Sequence, residues 1–338
     1  MIYYYNPYFQ RVNALSGTRK ILEISGTYYV SLPKPWVKFH KLKRGDIVFV
    51  KMSEEGTLEI LPKEEREEEV VRSVKVQLDD YVDRRILAAY LSGYDIIDAV
   101  TTGRVSERHR KMIESVASKL IGLEIVEETQ NRITLQSFSK GPIEVWSIIK
   151  RMSDIAKSMY TDSLFALLKS DTELASSVIK RDDNVDRLYF FLVRIIRSNL
   201  SSLRRLLKEK RFNAIELLDY RLLVKALEQI ADHSEGVARS VIRILNKGIM
   251  FSKEINDSLS EISRDLRRAQ DKVLEAYRTK NLIEAVEVVK DVHLVYEKLD
   301  KIEVRFKEYG YRWHFLMNLT EELRNIAKII EDIGDLVF

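Results

Sequence analysis

Cysteine is absent from the 338 residues, which excludes disulfides, thiol nucleophiles and zinc held by thiolates. Proline and glycine are scarce, at 5 and 12 residues, while 45% of the chain is apolar. That balance reads as globular and mostly helical. No apolar run approaches the roughly 20 residues of a membrane span. The N-terminal MIYYYNPYFQRV lacks a basic start followed by a long apolar stretch, so no signal peptide is expected. A soluble, cytoplasmic protein without membrane insertion is the expectation. A strong excess of one charge is also missing: 56 Lys and Arg against 52 Asp and Glu leave a net +4. Nucleic-acid binding must therefore rest on local clustering. None of the five histidines follows a Glu by three residues, so the Glu-x-x-His element of helical di-metal oxidases is lacking. The length has room for two or three domains.

What is present includes two matched carboxylate pairs. ALEQIADHSEGVARSVI (Ala226–Ile242) places Glu228 four residues before Asp232, and the terminal IIEDIGDLVF places Glu331 four before Asp335. Residues at this spacing share one helix face. Acids beside an apolar stripe need water, a Lys or Arg, or a bound cation as partner. Hard cations take carboxylate oxygens.

In chain order, residues 1–17 form a Tyr-rich leader. Residues 18–62 read as a small β module: runs at Arg19–Ile24 and Thr27–Leu32, one or two helical turns at Trp36–His40, then IVFVKM and Thr57–Leu61. A module this small rarely holds a core alone, so its apolar faces are expected to be buried against a second copy. Lys34, Lys38, Lys41, Lys43 and Arg44 fall in an acid-free stretch, with Arg19 and Lys20 upstream. Two such clusters across a two-fold axis would neutralise several phosphates, although charge alone is equally a solvated surface. The Gly26–Thr27 turn, YYVSLP ending in Pro33, the WVKF helix and LKRGD (Leu42–Asp46) together resemble the AbrB/SpoVT family of DNA-binding modules. The resemblance implies a dimer of interleaved hairpins reading DNA through Arg19, Lys20, Lys34, Lys38, Lys43 and Arg44.

Residues 63–72 contain KEEREEE and read as an acidic linker. Residues 73–140 read as a small α+β domain in the order β-α-α-β-β: a strand at Ser73–Leu78, a helix over Asp80–Asp98, a helix over Ser106–Ile121 with Ser106 as N-cap, and a hairpin across Gln130–Asn131. No phosphate loop, metal cluster or nucleophile–base pair stands in it, and a structural spacer or dimerisation unit is the expectation.

Beyond residue 141 apolar residues recur at helical spacing in six segments, with breaks near Ser170–Asp171, Lys210–Asn213, Asn246–Gly248, Lys280–Asn281 and Gly310. VIKRDDNVDRLYFFL (Val178–Leu192) aligns without gaps to VHLVYEKLDKIEVRF (Val292–Phe306), and ALEQIADH aligns to IIEDIGDL. The segments therefore read as two copies of a three-helix bundle, 141–248 and 249–338. These motifs, with the Asp182 and Asp186 pair in RDDNVD, resemble the PhoU family of phosphate-uptake regulators. The fold class expected is thus mainly α, tandem PhoU-like three-helix bundles preceded by a swapped-hairpin β domain and an α+β domain.

The PhoU resemblance implies multinuclear metal sites. The first set would be Asp182, Asp183, Asp186, Glu228, Asp232 and Glu235, and the second Glu297, Asp300, Glu331 and Asp335. In the second set Tyr296 replaces the first acid, and the chain ends three residues after Asp335 where the family usually runs on. Carboxylates without thiolates suit divalent or trivalent ions such as iron, manganese, magnesium or calcium better than copper. The alternative is that these acids pair with Arg and Lys of adjacent helices. The function expected is a non-enzymatic, DNA-binding regulator of phosphate homeostasis, a homodimer through its N-terminal domain, with transporter components or a signalling protein as further partners. A PhoU-like adaptor that dimerises without binding DNA, and a di-metal carboxylate oxidase, are the alternatives.

Overall fold

The computed structural model describes residues 18–52, 56–62, 71–139, 144–201 and 214–337. The expected leader, most of the expected linker and the break near Lys210–Asn213 lie outside them. The chain divides into two units, Met1–Val70 and Val71–Phe338.

The first unit holds two separate two-stranded sheets. β1 (Ile21–Ile24) and β2 (Thr27–Val30) pair antiparallel, Ile21 opposite Val30. Their two-residue turn, Ser25–Gly26, has φ of 52° and 79°, the pair of positive values that matches the strand twist of a tight hairpin. A short helix α1 (Lys34–Phe39) starts after Pro33 with Pro35 in its first turn, where a missing N–H costs nothing. It buries no residue. β3 (Val48–Met52) and β4 (Leu58–Pro62) form the second hairpin, Val50 opposite Ile60. Isolated hairpins are marginal in water, and Ile21, Tyr28 and Met52 are 71%, 71% and 72% exposed.

The second unit begins with β5 (Ser73–Gln77), α2 (Val82–Leu91), β6 (Ile96–Val100), α3 (Glu107–Ser118), β7 (Leu123–Glu128) and β8 (Arg132–Ser137), in a sheet ordered β5-β6-β8-β7. The expected helix over Asp80–Asp98 ends early. α2 stops at Leu91, Gly93 turns the chain at φ 81°, and residues 96–100 become a central strand. β6 runs parallel to β5 through the α2 crossover and antiparallel to β8. The order is therefore β-α-β-α-β-β. A five-residue run such as IIDAV after a helix does not reveal its period; only the pairing on both sides, with Ile97 and Ala99 buried, decides. Ser106 caps α3 by accepting from the His109 N–H at 3.2 Å. Ile86, Tyr90, Ile97, Ile113, Ile133 and Leu135 form this domain's core.

Six long helices follow: α4 (Val145–Lys169), α5 (Thr172–Ser201), α6 (Ala214–Asn246), α7 (Lys253–Thr279), α8 (Leu282–Phe306) and α9 (Trp313–Asp335), with a 3₁₀ turn at Lys307–Arg312 before α9. One turn occurs twice. Ser170 and Lys280 end α4 and α7 in the left-handed region at φ 55° and 53°. The next residue then returns its N–H five positions back, Asp171 to Ala166 O at 2.8 Å and Asn281 to Ala276 O at 2.9 Å, the closing bond of a Schellman end. The same Asp171 and Asn281 side chains accept from the first N–H groups of α5 and α8.

α4, α5 and α6 pack on one another, as do α7, α8 and α9, while α6 against α9 and α4 against α7 join the two sets. Their apolar stripes merge into one core including Met152, Tyr160, Leu227, Leu266, Leu299 and Ile330. Each such side chain contributes about 1.5–3 kcal/mol by leaving water. A buried polar link crosses between the sets: Tyr160 donates to Gln270 Oε1 at 3.0 Å, and Gln270 Nε2 donates to Ser153 Oγ at 2.9 Å.

The sheet domain is fastened to α5. Arg194, 7% exposed, donates through Nη1 to the carbonyls of Tyr90 at 2.7 Å and Tyr94 at 2.8 Å, and its guanidinium lies over the Tyr90 ring. Phe190, one turn back on α5, packs on the sheet domain's core.

Candidate metal centre

α5 carries Asp182 and Asp186, and α6 carries Glu228 and Asp232, each pair one turn apart. The two helices pack side by side, and the four carboxylates act on one another. Asp182 is raised to about 7, chiefly by burial and then by Asp186, Asp232, Glu235 and Glu228. Its Oδ1 is buried without a hydrogen-bond partner. Asp232 keeps an exposed side, yet burial around the carboxyl and then Glu228 lift it to about 6. Asp186 is raised by burial and by Glu228, with Lys119 and Lys225 opposing. The near cation is Lys225, ion-paired with Glu228. Glu235 pairs with Arg239 at 2.5 Å, and Asp183 is exposed. Among the described residues no three carboxylate or imidazole groups converge as a finished ligand set; the arrangement is an under-compensated acidic patch.

The second set is built differently. Asp300 accepts from Arg324 Nη2 at 2.8 Å, and the same nitrogen reaches Glu303 at 3.0 Å. Tyr296, at the position aligned with Asp182, donates to Glu331 at 3.3 Å and lies under the Arg324 guanidinium. Glu297 and Asp335 are exposed. In the first set Arg221 stands where Arg324 does, and Tyr189 where Glu303 does, so Arg221 donates to the Tyr189 hydroxyl at 2.9 Å. The spacing of acids is legible in both halves of the sequence. That an arginine already pairs with Asp300 of the second set is visible only in the structure, where Arg324 reaches Asp300 and Glu303 together.

The DNA-binding candidates Arg19, Lys20, Lys34, Lys38, Lys43 and Arg44 are all exposed. Lys34 and Lys38 lie on α1, and the Lys43–Asp46 turn is closed by the Lys43 N–H donating to Asp46 Oδ2 at 2.6 Å. His233 is hydrogen-bonded through Nδ1 to Glu322 Oε2 at 2.7 Å, across the α6–α9 contact.

Residues 149–241 match the family model of the PhoU domain. Curated relatives share the description phosphate-specific transport system accessory protein PhoU homolog. That of Clostridium acetobutylicum is 30% identical over 102 residues, 30% of this chain and 42% of the relative. That of Aquifex aeolicus is 43% identical over 53 residues, 16% of this chain and 24% of the relative. That of Caulobacter vibrioides is 23% identical over 202 residues, 60% of this chain and 85% of the relative. The matched regions thus span less than half the length of the first two. Among solved structures, PhoU from Pseudomonas aeruginosa is similar with a TM-score of 0.45 and 19% identity, over 57% of this chain and 93% of that one. The phosphate transport system regulatory protein PhoU from Streptococcus pneumoniae gives 0.49 and 14%, over 57% and 91%.

Proposed function

We propose that this chain is a non-enzymatic regulator of phosphate uptake, with a cation-binding helical region and a DNA-binding N-terminal unit. The observation that carries the reading is a coincidence of place. The PhoU match at residues 149–241 falls on α4, α5 and α6, and the under-compensated carboxylates lie on two of those helices. The helices α4–α6 and α7–α9 are two copies of a three-helix bundle in this reading, supported by the repeated turn at Ser170–Asp171 and Lys280–Asn281.

The residues present fit a hard cation. All donors are carboxylate oxygens, and the partnerless buried oxygen of Asp182 is what a cation would satisfy. Asp182, Asp186, Glu228 and Asp232 would hold it, with Asp183 and Glu235 at the margin; magnesium, calcium, manganese and iron suit this set. Bound there, the ion supplies fixed positive charge that offsets the mutual repulsion of the acids. Glu297, Asp300, Glu331 and Asp335 form the weaker candidate, because Arg324 already compensates Asp300.

The N-terminal unit acts as a homodimer in this reading. Two unjoined hairpins with exposed apolar faces need a second copy to complete a sheet. The six basic residues would then meet DNA phosphates. The adaptor reading, in which the unit only dimerises and the helical region engages transporter components or a signalling protein, is favoured by the relatives' description as accessory proteins. Deleting the gene is the test of the shared reading. Phosphate uptake should cease to adjust when external phosphate is changed, and uptake that still adjusts normally would overturn both versions.

A further inference from the structure

We propose that the outer face of α8 docks on the same face of a second copy of this chain, the two helices running antiparallel. α8 lies against α7 and α9, with Val288, Val292, Val295 and Leu299 buried. Opposite that stripe the helical period brings Ile283, Val286, Leu294 and Val304 onto one face, with Lys290 and Glu297 between them. The four apolar residues are 75%, 50%, 54% and 65% exposed, more than scattered surface residues account for. The aligned face of the other half is covered. Val304 aligns with Phe190 of α5, which packs on the sheet domain's core.

The order of residues along the face identifies its occupant. A two-fold axis between His293 and Leu294 sets Ile283 level with Val304 of the second copy, and Lys290 level with Glu297 of the second copy. Each pairing occurs twice, and Leu294 meets its own copy beside the axis. Lys301 of the second copy lies along Val286, its head beside Glu287. A parallel pair would instead set Lys290 on Lys290 and Glu297 on Glu297, like charge on like. Among the described residues, Lys290, Glu297 and Lys301 have no ion-pair partner in their own chain. The charges flanking the face are already held: Glu287 by Lys272 at 2.7 Å, Lys298 by Asp265 at 2.7 Å and Asp300 by Arg324 at 2.8 Å.

From Ile283 to Val304 the seam is about 30 Å long, at the small end of specific interfaces. Glu297 belongs to the outer face: Tyr296, one residue before it, is the side chain that meets Glu331 of α9. The assignment therefore does not depend on cation binding at the carboxylates. It is also separate from dimerisation through the N-terminal unit, because it concerns a different surface with its own pairing rule.

The test uses the full chain, which has no cysteine of its own, in the presence of a chelator. A single Leu294→Cys should join to its own copy as an intermolecular disulfide under diamide. Lys180→Cys, at the exposed α5 position aligned with Leu294, should join far more slowly. Adding Lys290→Glu to Leu294→Cys, or Glu297→Lys to it, sets like charges together and should slow the cross-link about tenfold or more. Mixing the two charge variants pairs opposite charges again and should restore the rate. All these positions are exposed, and an unchanged melting temperature verifies that the variants fold. The assignment is overturned if Leu294→Cys cross-links no faster than Lys180→Cys, if either charge reversal leaves the rate unchanged, or if the mixture stays as slow as its components. Pairing through the N-terminal unit alone, or a foreign partner on this face, would give those results.

Discussion

Replacing Asp182 by Asn separates a cation site from a salt-bridged surface by the sign of its effect. Burial and the surrounding acids move Asp182 from the ordinary 3.8 to about 7. Taken in full, that displacement would be worth about 4 kcal/mol. The carboxyl is partly open to water, and screening reduces the figure to about 1–2 kcal/mol. A carboxyl raised in the folded state is penalised once ionised, so the metal-free protein should lose stability as pH rises from about 4 to about 7 and change little above. Asp232, lifted to about 6, acts in the same direction. In chelator at pH 8, Asp182→Asn should therefore stabilise the helical region by about 1–2 kcal/mol, roughly 2–4 °C in melting temperature for a unit of this size. At pH 5 the gain should largely vanish, because the wild-type carboxyl is then protonated. With a cation at about a hundred times its dissociation constant, the wild type gains about 2.7 kcal/mol, and Asp182→Asn, lacking a ligand, gains less. The order of the two melting temperatures should reverse. Differential scanning calorimetry with and without chelator at both pH values reads this directly. A mutational effect of the same sign and size in chelator and in excess cation would refute the reasoning.

Other outcomes follow from the packing. Arg194→Ala leaves the Tyr90 and Tyr94 carbonyls without their donor in a buried place and should cost about 2–4 kcal/mol; hydrogen exchange should show residues 73–138 losing protection first. Gly236→Ala would set a methyl group 2.5 Å from the Glu322 carboxylate, pushing it off His233, and should lower the melting temperature by a few degrees; Glu322→Ala in the same background should restore part of the loss. Glu331→Gln should leave the metal content unchanged, since in the second set Asp300 is already held by Arg324 and Glu331 by the Tyr296 hydroxyl, whereas Glu228→Gln with Asp232→Asn should remove it, both read by elemental analysis.

The helices were legible because their signals are local. Apolar residues recur at helical spacing, and Asp171 and Asn281 mark two of the turns by the caps they form. The Ser25–Gly26 hairpin is likewise written in its two turn residues. Strand β6 was not, because IIDAV becomes a strand only by pairing with β5 and β8, and that pairing is set by residues far along the chain. At the candidate metal centre, the one-turn spacing of Asp182 and Asp186, and of Glu228 and Asp232, could be read directly. The difference between the two halves could not, since it turns on Arg324 meeting Glu303 where Arg221 meets Tyr189. The docking of α5 on the sheet domain was invisible too, since Arg194 and Phe190 meet residues about a hundred positions earlier in the chain.

The central claim, that a phosphate-uptake regulator acts on DNA through its N-terminal unit, is tested most directly by one titration. The full chain is titrated with DNA from upstream of phosphate-transport genes over a salt series, beside the variant Lys34→Ala, Lys38→Ala, Lys43→Ala. Three exposed lysines that contact phosphates should each remove roughly one unit from the slope of log affinity against log salt, so the variant should bind more weakly and with a flatter slope. Wild-type chain that binds no DNA at low salt, or a triple variant whose affinity and slope match the wild type, would contradict the account and leave the adaptor reading in its place.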